Sequence, residues 1–344
     1  MTQSPILTWE KITLKLRNPF RLSYGVSDTR QAFWLRLAGD TGWGEGTIPP
    51  YYGVNEDSMT GFWAEAAKRT DPLPDDINGI EAWVGKDGPG AARCALDLAL
   101  YDRIGRQWGV PLWQLLNVHE PEPRPTSYTI AIDTPEAMGR MAGDLKHLPV
   151  IKVKLGGDEE DEDRLAAIRS ARPDAALRID ANAGWTLEQA KQYVRRFEAY
   201  NLEMIEQPLA KEAIAAMGSL QRETDIPVVA DESVQSLADV DALADAGVAG
   251  VNVKLMKAGG LTPALRMIRR ARERGMRVML GCMVETSIGT TAMAHLMGLA
   301  EWFDLDAPML ISNDPFDGIT YREGALIEVP HRPGIGTVQK QEER

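Results

Sequence analysis

In the second half of the chain, short apolar runs end in charged residues. Lys152 and Lys154 stand in VIKVKL, Asp180 ends ALRID, Glu206 ends EMIE, Asp231 ends PVVAD and Lys254 follows GVNV. From Lys154 on, each lies about one strand-and-helix repeat beyond the last. Three carboxylates brought together at Asp180, Glu206 and Asp231 cannot all stay ionised without a cation. An all-oxygen set lacking His and Cys suits Mg²⁺. Lys154 precedes this trio and Lys254 follows it, so the two amines approach from opposite sides. A cation that stabilises an enolate, flanked by two bases, can remove an α-proton on one face of a carbon and return it on the other. Lysine acts as a base only if its pKa is lowered, and Lys152, on the same face as Lys154, supplies one cationic neighbour. Further on, FDLDAPML places Asp304 and Asp306 one residue apart, on one face of an extended strand, where they need a positive partner.

Elements must bring these residues together. Eight strand-like segments are predicted at 127–132, 150–155, 176–180, 203–206, 227–231, 250–254, 277–281 and 302–306. Amphipathic stretches such as TLEQAKQYVRRFEAYN and TPALRMIRRARERG lie between them. The fold class is α/β, a TIM-like barrel, and the charges fall at the strand ends where barrel enzymes place their chemistry. Before the barrel, ILTWEKITLKL and QAFWLRLAGDTGWGEG alternate apolar and polar residues, with Gly-rich turns between. AARCALDLALYDRIGRQWG then has helical spacing, so residues 1–120 read as an α+β domain. HEPEPRP reads as a linker, 125–317 as the barrel, and the tail from about 318 as a strand-like return to the first domain.

The 344 residues are 44% hydrophobic and carry a net charge of −12, which disfavours a nucleic-acid partner. No apolar run reaches the ~18 residues of a membrane span, and no secretion signal is evident. Cys94 and Cys282 are far apart, and a reducing cytoplasm fits. His295 reads as a helix-packing residue, and the acidic run 158–163 as a solvated helix start.

Taken in order, IKVKLG, RIDANAGW, IEQPL, VADESV, NVKLMKAGG and GCMVETSIG resemble the enolase superfamily, in its muconate-lactonizing-enzyme subgroup. A Lys or His base acting with Mg²⁺ is a general property of that superfamily. The resemblance implies a (β/α)₇β barrel under an N-terminal α+β capping domain, one Mg²⁺ held by Asp180, Glu206 and Asp231, and Lys154 and Lys254 as acid/base catalysts. It implies that Lys152 holds the substrate carboxylate, and that Asn182 and Glu232 support the ligands. FDLDAP resembles the Asp-x-Asp of dipeptide epimerases, in which the two carboxylates bind the dipeptide α-ammonium. The other activities of the subgroup are N-acylamino acid racemase, o-succinylbenzoate synthase and muconate cycloisomerase. The alternative of a different class is a barrel that binds an anion without turning it over. In epimerases acting on Ala-Glu, an arginine five residues beyond the Phe of the PF pair receives the Glu side chain, and Gly25 stands there here. Glu56 and Asp57 would favour a cationic side chain. A homo-oligomer is expected of the type.

Overall fold

The computed structural model describes residues 6–22, 25–48, 52–156 and 158–341. The chain opens with an antiparallel sheet of Leu7–Leu22, Gly25–Leu37 and Trp43–Thr47 in that order. Helices Glu56–Ala67 and Gly90–Trp108 pack against it. Asn55 caps the first of these, taking the Ser58 N–H at 2.8 Å. Gly39 lies in the turn Ala38–Asp40 between the second and third strands, and Gly44 and Gly46 lie within the third strand. A Cβ on Gly44 would sit 1.9 Å from the Ala95 carbonyl oxygen, so the missing side chain lets the long helix rest directly on the strand.

All eight expected barrel strands are present: Tyr128–Ile130, Val150–Lys154, Ala176–Asp180, Leu202–Glu206, Val228–Ala230, Gly250–Val253, Arg277–Gly281 and Trp302–Asp304. They pair in parallel in chain order. Seven helices of 8 to 13 residues, from Pro135–Asp144 to Ser287–Ala294, follow the first seven strands, with the four-residue helix Leu255–Ala258 inserted after the sixth. After the last strand only the short helix Ala307–Leu310 forms. Met204, Val229, Met279 and Trp302 form a separate buried apolar cluster, and Met204, Val229 and Trp302 each stand two residues before a carboxylate, Glu206, Asp231 or Asp304. They make a dry floor under the charges. Among the described residues no helix is long and apolar enough to cross a membrane.

The barrel closes where the Ser127 N–H meets the Phe303 carbonyl at 3.0 Å. The end of the expected linker is itself a strand: Arg124–Pro125 pairs with Leu326–Glu328, which pairs in turn with Thr320–Arg322. The segment just before the tail touches the first sheet. Phe316 packs edge-on against Trp34 with ring centroids 4.9 Å apart, and Leu16 bridges Ile311. The run 158–163 does open a helix, Asp161–Ala171, but its first residue is not solvated. Asp161 is buried and accepts from the Gly156 N–H and the Trp185 indole, both at 2.8 Å.

His295 is fully buried at the end of helix Ser287–Ala294. Its Nε2 donates to the Ile335 carbonyl at 3.0 Å and its Nδ1 accepts the Trp113 N–H at 3.3 Å, which fixes a neutral ring. Burial lowers its pKa from 6.5 to about 4. The unfolded chain therefore takes up this proton first. The contribution to stability is whole above pH 6.5 and is lost as the pH falls toward 4, a loss on the order of 3 kcal/mol. In urea unfolding across that window, the parent should lose stability more steeply than His295→Gln; equal slopes would remove this role.

Candidate active site

The barrel register sets the site. Lys154 pairs with Asp180 and Asp180 with Glu206, so strand neighbours present charge at one level. Oxygens of Asp180, Glu206 and Asp231 all lie within 4.8 Å of one another, and all three residues are buried. The loop after Asp180 is strained, with Asn182 at φ 41° and Ala183 at φ 61°, and Gln207 after Glu206 lies at φ 34°. Local bonds hold these positions. The Asn182 N–H reaches Asp180 Oδ1 at 2.9 Å, the Ala183 N–H reaches the Gln207 carbonyl at 2.8 Å, and Gln207 Oε1 accepts the Asp231 N–H at 2.8 Å.

Lysines surround the trio. Lys154 Nζ donates to Asp180 Oδ2 at 2.6 Å and to Asn182 Oδ1 at 3.0 Å. On the other side, Lys254 Nζ donates to Asp231 Oδ2 at 2.8 Å. Gly281 makes room for it, since a Cβ there would lie 2.9 Å from Lys254 Cε and 2.4 Å from Asn252 Oδ1. Lys152 is 1% exposed, and its ammonium lies 3.0 Å from Asp180, 2.7 Å from Glu206 and 2.7 Å from Asp304.

These contacts divide the carboxylates. Burial alone would raise Asp180, but Lys152 and Lys154 outweigh it and hold the carboxyl well below the usual range. Burial is outweighed in the same way at Asp231 by Lys254 and Lys257. At Glu206 burial wins, helped by Asp180, and the pKa rises to about 8. Glu206 Oε2 lies 2.7 Å from Lys152 but off the line of a hydrogen bond, and buried Glu232 Oε2 has no hydrogen-bond partner either. A buried trio of oxygen ligands with an unsatisfied oxygen aimed among them fits a hard divalent cation. The expected lowering of the base is not met by protein groups alone. Asp231 and Glu206 overcome burial at Lys254 and raise it.

The opening expectation for FDLDAP changes in one respect. Asp304 ends the last strand, but Asp306 lies beyond it at φ −96°, ψ 0°, as the residue before helix Ala307–Leu310. The two do not alternate on one strand face. Asp304 already has its cation in Lys152 and also accepts from Ser127 Oγ at 2.7 Å. Asp306 accepts from Thr129, whose N–H lies at 2.8 Å, and burial with Asp304 nearby pushes it up to about 7.

Residues 137–343 match the family described as enolase C-terminal domain-like. The chain belongs to this family. It is 35% identical over 97% of its length, and 88% of the relative's, to the L-Ala-D/L-Glu epimerase of Bacteroides thetaiotaomicron. It is 34% identical to the L-Ala-D/L-amino acid epimerase of a Maribacter species, over 97% of this chain and 99% of that one. In structure it is similar to the dipeptide epimerase of Cytophaga hutchinsonii, solved with Mg and the dipeptide D-Ala-L-Val. The TM-score is 0.90 and the identity 30%, covering 98% of this chain and 96% of that one.

Within this enolase-like frame, other residues sit as follows. Asn182 Nδ2 donates to Glu232 Oε1 at 3.2 Å, so the two residues expected to support the ligands touch each other. Gly25 is exposed at the start of the second strand, paired with Leu22, with nothing within 4 Å of a Cβ placed there. Glu56 and Asp57 occupy the first turn of helix Glu56–Ala67, where Glu56 pairs with Lys11 rather than with any residue of the trio. Sequence reasoning missed Asn252, which donates to Glu206 Oε1 at 2.8 Å, and Lys257, which binds Asp231. Asn252 was within reach, because it lies two residues before Lys254 on the same strand face.

Lys152 balances three buried carboxylates and is the most exposed point of failure. Replacing it with methionine should destabilise the fold by about 3–5 kcal/mol, as removal of one partner from a buried pair does. Chemical unfolding checks this, and a loss within the ~1 kcal/mol of a surface pair would show that the network tolerates the missing charge.

Proposed function

We propose that the protein is a Mg²⁺-dependent dipeptide epimerase that inverts the α-carbon of the C-terminal residue. The observation carrying this is the pair of lysines on opposite flanks of one acidic trio, Lys154 against Asp180 and Lys254 against Asp231. A barrel that merely bound an anion would need no second amine. Asp180, Glu206 and Asp231 would hold the cation, which when bound neutralises the charge that develops on the substrate carboxylate. Lys154 takes or gives the α-proton on one face and Lys254 on the other. Asp306, which has no cationic side chain paired to it among the described residues, receives the dipeptide α-ammonium, and Asp304 is held beside it by Lys152. Lys152 directs its ammonium at protein carboxylates, so its part is to hold that acidic wall rather than the substrate.

Two described positions bear on the substrate side chain. Gly25 offers no charge to an acidic residue, and Glu56 is committed to Lys11. A cavity of about 270 Å³ lies beside Thr129, lined by the apolar Leu16, Val26, Met141 and Leu310 and by the charged Arg17 and Asp133. The apolar residues suit the aliphatic part of a substrate side chain, and Arg17 and Asp133 leave its polar end open.

The test is α-proton exchange in D₂O, read by NMR for both epimers of a panel of dipeptides. Lys154→Ala and Lys254→Ala should each abolish interconversion, with losses of at least ~10²–10⁴-fold, while each leaves exchange of one epimer without inversion. Near-parental interconversion in either variant removes that lysine from the mechanism. EDTA should stop all exchange and added Mg²⁺ restore it; exchange that persists without metal overturns the role of the trio. Turnover of the best substrate unchanged in Asp306→Ala would favour an N-acylated amino acid over a dipeptide.

A further inference from the structure

Lys257 has no part in the scheme so far. It lies one helical turn beyond Lys254, in the short helix Leu255–Ala258. Its side chain is 1% exposed. The ammonium donates to the Asp231 carbonyl at 2.5 Å, to the Asn252 carbonyl at 3.1 Å and to Asp231 Oδ1. Lys254 takes the other carboxylate oxygen, Oδ2. Asp231 is thus divided between two lysines, one oxygen each.

The turn that carries Lys257 is pinned from the first domain. A Cβ on Gly90, at the start of the long helix, would lie 2.9 Å from both the Met256 and the Lys257 carbonyl oxygens. The helix therefore rests on the backbone of this turn. Four residues on, Asp97 Oδ1 of the same long helix region accepts the Leu261 N–H at 2.6 Å. Gly259 and Gly260, at φ 97° and 117°, let the chain fold closely over Arg93 and Asp97.

We propose that Lys257 is a positioning residue: pressed into place by the first domain, it locks the Asp231 carboxylate so that only Oδ2 faces Lys254 and the ligand trio. Binding both the carbonyl and the carboxylate of one residue fixes that side chain's rotamer. Asp180 is fixed by other means, through Asn182, Lys152 and Lys154. The influence of Lys257 is accordingly confined to the Lys254 side of the site. The inference rests on the two-lysine reading above.

Lys257→Met keeps the length of the stem and removes the donor. With saturating Mg²⁺, α-proton exchange in D₂O is measured for each epimer, the Lys154→Ala and Lys254→Ala variants showing which lysine serves which. Exchange of the epimer served by Lys254 should fall about 10–100-fold, as when the support of a metal ligand is lost, while exchange of the other stays at the parental rate. Lys257→Gln, which retains a donor for Oδ1 without the charge, should recover part of the loss, and it replaces the methionine variant if that chain does not fold. Equal loss on both faces, or loss on neither, in a folded variant overturns the role of Lys257 alone. A parent that exchanges neither epimer overturns the functional reading and this inference with it.

Discussion

Three carboxylates confined within 4.8 Å in a buried space repel one another strongly, and much of the molecule is arranged around that fact. Lysines 152, 154, 254 and 257 all contact the trio, each from a different position on the barrel wall. Buried ion pairs of this kind add little net stability, because desolvation offsets their attraction. The apolar floor of Met204, Val229, Met279 and Trp302 below, and the helices outside, must supply the stability instead. The lysines keep Asp180 and Asp231 ionised, while Glu206 is pushed up, and a hard cation competes for the same oxygens.

The barrel and the metal trio were legible in the sequence because both follow one local rule. A strand buried on both sides should be apolar, so a charge at a strand's end stands out, and the period of two tells which residues share its face. That rule stops where the strand stops. Asp306 was placed on a strand face because FDLD alternates, but the chain turns helical at Asp306 and aims it at the backbone of the first barrel strand. Lys257 was passed over because it looks like an ordinary helix lysine; it reaches Asp231 from one turn beyond Lys254, in the short helix Leu255–Ala258. The packing role of Gly44 and Gly46 was not legible, since no local signal says that a helix some fifty positions later will lie on them.

The first domain is more than a cover. Glu45, in the strand Trp43–Thr47, accepts the Thr286 N–H at 2.8 Å, the Thr286 hydroxyl at 2.7 Å and the Gly289 N–H at 3.0 Å. It thereby completes the N-terminus of a barrel helix with a carboxylate from outside the barrel. Burial pushes that carboxyl up to about 7 despite these donors. Together with Asp97 at Leu261, this joins the first domain to the loops after the sixth and seventh strands, where Lys254 and Gly281 lie.

The barrel's closing seam carries a consequence of its own. The last and first strands meet through few backbone bonds, and the contacts that span the gap include Ser127 Oγ to Asp304 and the Thr129 N–H to Asp306. The acids assigned to the ammonium are thus also the rivets of the ring. The contacts that hold these acids are also contacts that close the ring, so recognition at this point and closure of the barrel draw on the same side chains.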